Sequence, residues 1–338
     1  MLEISILGAG SWGCTLANLL AYKDYKVKLW EVSENRSLKL KETKILESLP
    51  NFKIHSSIEI DSDLEKVLCS SKIILFVLPS NVLRETLEKI KMLKLNFKNT
   101  IIISAIKGIE TSSLKRMTEI IKEELPLIKQ ENIFVLSGPS FAIEVYKKLP
   151  TAIVIAGQEN KTLKKLQNIF FTEYFRVYTN NDIKGVELGG ALKNIFAIAC
   201  GISDGCGFGD NTKAALMTRG FKELIKIGVK LGGQKQTFLG LSGLGDLVMT
   251  SFSKHSRNRL LGEKIGQGLS PENALKEIST TTEGYYTTKA VYMLGKKLGL
   301  DLPIVNEVFN VLYKCKPVKQ VTKNLMLRKL KSEMEGYE

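Results

Sequence analysis

The stretch from Leu2 to Trp30 restricts the possible folds more than any other part of the chain. A short apolar run, Leu2 to Leu7, passes directly into Gly8-Ala9-Gly10-Ser11-Trp12-Gly13. A helical pattern follows from Cys14 to Tyr22, then a second strand-like run from Val27 to Trp30. Strand, G-x-G-x-x-G, helix and strand in about thirty residues is the full setting of a dinucleotide-binding turn. Its glycines let the backbone turn tightly and approach a pyrophosphate lying on the helix N-terminus. Without that setting, the same glycines would be an ordinary strand-to-helix turn.

Glu31 closes the second strand, 23 positions after Gly8. An acid there accepts hydrogen bonds from the adenosine ribose hydroxyls and repels a 2′-phosphate, which favours NAD. Arg36, Lys39 and Lys41 follow closely and offer the phosphate a welcome instead, so NADP stays open.

Strand-like runs recur at Lys72 to Val77, Thr100 to Ser104, Ile133 to Ser137 and Ala152 to Ile155. Helical patterns lie between them, at Val82 to Met92, Leu114 to Leu125 and Lys161 to Phe170. The alternation predicts an α/β domain with a parallel, doubly wound sheet of Rossmann type over residues 1–182. Ligands of such sheets bind beyond the carboxyl ends of the strands. There the chain places Leu78-Pro79-Ser80, Lys107-Gly108-Ile109-Glu110 and Gly138-Pro139-Ser140. Each could be plain turn chemistry, but a cation such as Lys107 at a strand's end faces the cofactor crevice.

Beyond residue 183 the strand signals fade and helical patterns take over to residue 338: Ala214 to Leu231, Ser270 to Ile278, Thr287 to Leu298 and Ile304 to Leu312. The expectation is an all-α C-terminal domain with a fraying charged tail from Lys323. Its first helix, Val186 to Ile202, is among the most apolar stretches of the chain, yet carries Lys193 and Asn194 at its middle. A buried amine and amide must be paired or serve chemistry. Desolvation shifts a lysine pKa readily, which suits proton transfer; the bland alternative is a lysine snorkelling out of a packed helix. Two glycine-rich loops are expected, Gly201 to Gly209 and Gly240 to Asp246. Asp246 could cap the next helix or bond Lys193. Ser256-Arg257-Asn258-Arg259 reads either as a solvated helix start or as a phosphate site with Arg257 as its fork.

Composition narrows the function. The formal charge of +14 (49 basic against 35 acidic residues) is spread along the chain rather than packed into a block, which argues for a lysine-rich surface over a nucleic-acid site. Five cysteines make no CxxC pair, and four of them sit in segments that read as apolar helix, a reducing-compartment pattern. Glu3 interrupts the N-terminal apolar run, and no uninterrupted run of membrane length is visible. A cytoplasmic protein is expected. Neither His55 nor His255 has metal-ligand spacing or a nucleophile partner, which leaves lysine as the acid-base candidate.

Taken in order, these segments resemble the NAD(P)-dependent glycerol-3-phosphate dehydrogenases of the soluble, bacterial type, over nearly the whole chain. The resemblance runs through Gly8 to Gly13, Lys107 to Glu110, Gly138-Pro139-Ser140-Phe141-Ala142, Ala191-Leu192-Lys193-Asn194, Gly207-Phe208-Gly209-Asp210-Asn211, Gly240 to Thr250, Ser256 to Arg259, Glu283-Gly284 and Leu302-Pro303-Ile304. It implies that Ser11, Trp12, Lys107, Ala142, Arg257, Thr281 and Glu283 line the cofactor, NAD or NADP. It implies further that Lys107, Gly138, Ser140, Lys193, Asp246, Ser256, Arg257 and Asn258 surround a triose phosphate, with Lys193 as proton donor and acceptor. A free lysine near ~10.4 is too basic for two-way transfer at neutral pH; burial, Lys107 and Arg257 would lower it and Asp246 would oppose them. A homodimer, no metal, and a product used in phospholipid synthesis are also implied.

Two features depart from the family. The segment Glu31 to Pro50 is short and lacks a basic or histidine residue near position 31, and Thr281-Thr282 replace an aliphatic pair. Three alternatives remain: a 3-hydroxyacid or 6-phosphogluconate type dehydrogenase, a nicotinamide sensor without turnover, and a nucleic-acid binder.

Overall fold

The computed structural model describes residues 2–278 and 281–333. The chain divides into two compact units, Met1–Lys107 with Lys115–Glu187, and Gly108–Leu114 with Leu188–Glu338. The sequence places a single boundary between residues 182 and 183. The first unit keeps five residues more because Ile183 and Val186 are buried with Val135, Val154 and Ala156.

The first unit holds strands β1 (Glu3–Leu7), β2 (Lys26–Trp30), β3 (Glu59–Asp61), β4 (Ile73–Phe76), β5 (Ile101–Ser104), β6 (Ile133–Ser137), β7 (Thr151–Ala156) and β8 (Phe175–Asn180). They form one sheet in the order β3-β2-β1-β4-β5-β6-β7-β8. Its helices are α1 (Ser11–Ala21), α2 (Glu34–Thr43), α3 (Leu64–Leu68), α4 (Leu83–Met92), α5 (Met117–Glu124), α6 (Ala142–Tyr146) and α7 (Asn160–Phe170). Strand β4 reads as an unbroken apolar run, I-I-L-F, while β1, E-I-S-I-L, includes two polar residues; both are buried throughout, as a parallel sheet covered on both faces requires.

The sheet is mostly, not wholly, parallel: β7 runs antiparallel to β6. Its connection, residues 138–150, contains only the five-residue α6, about 7 Å of helix against about 17 Å of strand, not the full crossover helix that usually joins parallel strands. Strands β3 and β8 escaped the sequence reading. The first has three residues; the second is an edge strand, where only Phe175 and Val177 turn inward and polar residues fill the other positions.

The second unit is helical: α8 (Ile183–Gly205, entered from the first unit), α9 (Asp210–Lys230), α10 (Lys235–Phe238), α11 (Asp246–Phe252), α12 (Arg257–Gly266), α13 (Pro271–Glu277), α14 (Glu283–Lys297), α15 (Pro303–Lys314) and α16 (Val318–Met326). The expected loop at Gly201 to Gly209 is mostly helix, because Gly201 and Gly205 are packing glycines. A Cβ on Gly201 would lie 2.0 Å from the Arg259 carbonyl oxygen, and one on Gly262 would lie 2.1 Å from the Ile198 carbonyl oxygen. Helices α8 and α12 therefore touch backbone to backbone. The other expected loop is a single π-helical turn, Leu241–Gly245, running into α11.

Helix α8 is long and apolar enough to cross a membrane, and its most apolar window is wholly buried inside the protein. It is a core helix, of a length the sequence reading did not credit. Of the cysteines, Cys14 and Cys200 are buried in helices as expected, whereas Cys69 and Cys315 are exposed at helix ends. Residues 334–338 of the tail expected to fray lie outside the described residues; α16 ends at Met326.

One buried carboxylate joins α9 to α15. Glu223 is 6% exposed and accepts hydrogen bonds from the Ile304 and Val305 amides at 2.8 and 3.1 Å, capping the α15 N-terminus. Burial pushes its pKa up to about 7, against the two amides that favour the charged form. The folded protein thus holds a proton that the unfolded chain releases near pH ~4.3, so this group makes stability fall as pH rises from about 4.5 to about 7. Glu223→Gln should gain in urea midpoint relative to the parent protein across that window. A difference between the two proteins that is the same at pH 5 and pH 8 would refute this.

Candidate active site

In the first unit the glycine turn leaves β1 for α1 at the point where strand order reverses between β1 and β4. Gly8 has φ +116°, and a Cβ there would lie 2.5 Å from the Val77 carbonyl oxygen; one on Gly13 would lie 1.9 Å from the Gly8 carbonyl oxygen. Only glycine lets the helix sit so close to the strand. A Cβ on Gly10 would meet nothing within 4 Å, and no side chain caps α1. The amides of Ser11, Trp12 and Gly13 are the first of the helix and lack intrahelical carbonyl partners. An open, uncapped helix N-terminus without an acid in its first turn fits a pyrophosphate.

Around this turn, Thr15 donates through its hydroxyl to the carbonyls of Ser11 (2.8 Å) and Ala142 (3.4 Å), which ties α1 to the start of α6. Trp12 is half-buried, its ring centre 6.3 Å from that of Phe175. Glu31 is buried, and both its oxygens are engaged: one accepts from the Ser33 amide (3.1 Å), the other from Arg36 Nη1 (2.7 Å). Arg36 Nη2 donates to the Ala9 carbonyl at 2.8 Å while the side chain stays largely exposed. The acid expected to repel a 2′-phosphate is thus covered by a guanidinium that also holds the glycine turn, a pairing the i, i+5 spacing alone did not disclose.

Three residues expected around the substrate meet at one carbonyl of this unit. Lys107 Nζ and Ser140 Oγ both donate to the Gly138 carbonyl oxygen, at 3.0 and 3.1 Å. Gly138 has φ +133°, and a Cβ there would lie 3.0 Å from Ile153 Cα, so the turn that presents this carbonyl needs glycine.

In the second unit Lys193 is 5% exposed on α8 and does not snorkel. Nζ donates to Asp246 Oδ1 and, at 2.6 Å, to Thr250 Oγ1; the Thr250 hydroxyl donates to the same Asp246 oxygen at 3.2 Å. Asp246 is fully buried in the first turn of α11. Its partnership with Lys193, rather than helix capping, explains its place. Thr250 was part of a recognised segment but had been given no role; four residues beyond Asp246, it shares one face of α11 with it.

Asn194 accepts at Oδ1 from Asn258 Nδ2 (2.9 Å), and Asn258 Oδ1 accepts from the Gly284 amide (2.9 Å), so these amides link α8, α12 and α14. One of the two Asn258 N–H groups expected for a phosphate is therefore committed. Ser256 keeps its plain role, its hydroxyl accepting from the Arg259 amide at the start of α12. Arg257, the next residue, is exposed and makes no hydrogen bond or ion pair among the described residues. Protein crowding lowers its pKa, with Glu283 acting in the opposite direction. Glu283 opens α14, Thr281 just before it is half-buried, and the Thr282 hydroxyl is buried with no partner among the described residues.

The pairing of Lys193 with Asp246 has an energetic consequence. Removing one partner leaves a buried uncompensated charge and costs about 3–5 kcal/mol. Asp246→Ala should destabilise the protein by about that much in urea unfolding, and Lys193→Met in the same chain should recover most of the loss. Equal losses in single and double variants would show that the pair does not exist in solution.

The N-terminal model of NAD-dependent glycerol-3-phosphate dehydrogenase matches residues 3–163, and the C-terminal model matches residues 182–323. The chain is 46% identical to the glycerol-3-phosphate dehydrogenase [NAD(P)+] of Chlorobium phaeobacteroides, over 99% of this chain and 100% of that one. To the enzyme of the same description from Thermoanaerobacter it is 44% identical, over 99% and 100%. A solved glycerol-3-phosphate dehydrogenase from Coxiella burnetii superposes with TM-score 0.92 at 36% identity, covering 97% of this chain and 99% of that one. D-mandelate dehydrogenase with NADH shares the fold alone, at TM-score 0.63 and 16% identity.

Proposed function

The chain belongs to the NAD(P)-dependent glycerol-3-phosphate dehydrogenase family, and from that premise we propose how its residues divide the reduction of dihydroxyacetone phosphate to sn-glycerol 3-phosphate. The observation that carries the reading is Lys193, an ammonium buried in an apolar helix and aimed by Asp246 and Thr250. When bound, the reduced nicotinamide supplies hydride to the ketone carbon. Lys193 hydrogen-bonds the carbonyl oxygen and passes it a proton as negative charge develops there, then regains a proton from water. In the reverse direction the amine takes the hydroxyl proton. Thr250 and Asp246 fix the Nζ position, so little reorganisation remains for the transfer step.

The open amides of Ser11, Trp12 and Gly13 would hold the coenzyme pyrophosphate, with Gly8 and Gly10 giving the turn its shape and Ala142 bordering it. Arg257, with Asn258 beside it, is the phosphate ligand we favour, because it is a guanidinium without a protein partner among the described residues. Thr281 and Glu283 would border the coenzyme at the start of α14, and Lys107, Gly138 and Ser140 would contribute to the triose site. The protein is proposed to act in the cytoplasm as a homodimer and to feed phospholipid synthesis.

Oxidation of NADH or NADPH on addition of dihydroxyacetone phosphate tests the activity. Lys193→Ala should lower kcat by a factor of about 10³ or more while coenzyme still quenches protein fluorescence with ordinary affinity. Near-normal turnover would remove Lys193 from the mechanism.

Coenzyme choice is assigned to the Glu31–Arg36 pair. Glu31 can accept from ribose hydroxyls while Arg36 offers its exposed guanidinium to a 2′-phosphate, so both coenzymes are used. Arg36→Ala uncovers the carboxylate and should raise the NADH-to-NADPH ratio of kcat/KM by roughly tenfold, which is about 1.4 kcal/mol. An unchanged ratio would place the discriminating residue elsewhere.

A further inference from the structure

The chain passes between its two units three times, after Lys107, after Leu114 and after Glu187. Two of these crossings are tied together by buried charge. Arg116, two residues past the second crossing, donates from Nη1 to Glu187 Oε2 at 2.5 Å, and Glu187 is the last residue before the third. Their side chains are 10% and 1% exposed.

Thr118 completes the knot. Its amide donates to Glu187 Oε1 (2.8 Å) and its hydroxyl to Glu187 Oε2 (2.7 Å), while the same hydroxyl accepts from Arg116 Nη1 (2.9 Å). Glu119 holds the other side of the guanidinium at 3.0 Å. Every group in the knot belongs to the dinucleotide unit, so Glu187 fixes the root of α8 to that unit.

Lys193 lies six positions after Glu187 on one unbroken helix, a lever of roughly 9 Å at about 1.5 Å per residue. A helix so short transmits rotation or sliding at its root without loss. Close packing limits such motion, but hydrophobic attraction has no direction and does not by itself single out one rotation of a helix. Hydrogen-bonded charges do.

We propose that Arg116, Thr118 and Glu187 are positioning residues for the reduction: they fix the rotation and register of α8 at its root, and with them the direction in which Lys193 presents its amine to the carbonyl. This rests on the reading of Lys193 given above. None of the three touches substrate or coenzyme in that reading. Misplacement by about an ångström can cost a hundredfold in rate, so the knot acts on kcat.

The first test is the double variant Arg116→Met with Glu187→Met, which removes both charges and leaves neither buried alone. It should fold, bind NADH within about twofold of the parent affinity, keep its KM for dihydroxyacetone phosphate within about threefold, and lose kcat by 10- to 100-fold, roughly the range for a misplaced catalytic group. Amide exchange over residues 184–193 should rise with it. A folded double variant with parent kcat overturns the proposal.

Should the double variant fail to fold, Thr118→Val decides, since it removes the hydroxyl bridge and keeps both charges. A kcat loss of about fivefold or more at unchanged coenzyme affinity supports the proposal, and unchanged kcat overturns it. Failure of the functional reading is distinct. In that case the parent protein does not reduce dihydroxyacetone phosphate, or Lys193→Ala retains its turnover.

Discussion

A buried ammonium sets the terms for the second unit. Lys193 lies on a helix whose other faces are packed with leucine, isoleucine and alanine, where an unpaired charge would be too costly to keep. Its counter-charge must come from a neighbouring element, and it must come close. Gly189, one turn before Lys193, makes that possible. A Cβ there would lie 2.8 Å from the Ser242 carbonyl oxygen, so its absence lets the π-helical turn at Leu241–Gly245 rest on α8. Gly243 in that turn packs so tightly on Phe238 that a Cβ would lie 2.0 Å from the Phe238 carbonyl. The turn then delivers Asp246 and Thr250 to the lysine. Glycines that looked like loop punctuation are what bring acid and base within bonding distance.

On the proposed reading the first unit solves a different problem, that of receiving an anion with backbone. Its turn carries no cation among Gly8 to Gly13 and no acid in the first turn of α1. Binding strength there would come from uncommitted amides and the helix dipole, which work only if the turn holds its shape. Gly8 and Gly13 permit that shape, and Arg36 secures it by grasping the Ala9 carbonyl. The same guanidinium covers Glu31. One side chain therefore links the shape of the glycine turn to the charge balance at the end of β2.

How much of this was legible depends on whether a residue's partner lies near it in sequence. The glycine turn and the strands β1, β2, β4, β5, β6 and β7 were readable because period and punctuation are local signals. Lys193 was readable because a lysine in V-E-L-G-G-A-L-K-N-I-F-A-I is locally anomalous. Its bond to Asp246 stood only as one of two options, since 53 residues separate them. Thr250 gave no local anomaly at all. The glycines at 201 and 205 were misread as a loop because helix packing glycines and turn glycines look alike until the opposing backbone, at Arg259 and Glu263, is known. Strand β7 has the pattern of its parallel neighbours, and only the lack of a full crossover helix before it hints at the reversed direction.

The paired charges of α8 form a series, two of them buried and the third, Asp204, half-buried. Glu187 pairs with Arg116, Lys193 with Asp246, and Asp204 with both Lys213 (2.8 Å) and Arg259 (2.8 Å). Seventeen residues, about 25 Å of helix, are thus held at three points by interactions that have direction. As contributions to stability such pairs are poor, because desolvation offsets most of their attraction. Apolar residues of similar volume would hold the helix in the bundle as firmly, but no bond of fixed direction would then single out one rotation. On the reading of Lys193 proposed above, one rotation is what the helix needs, because donor and acceptor must meet within a few tenths of an ångström. The sequence accepts costly buried charge where position, not cohesion, is the quantity that matters.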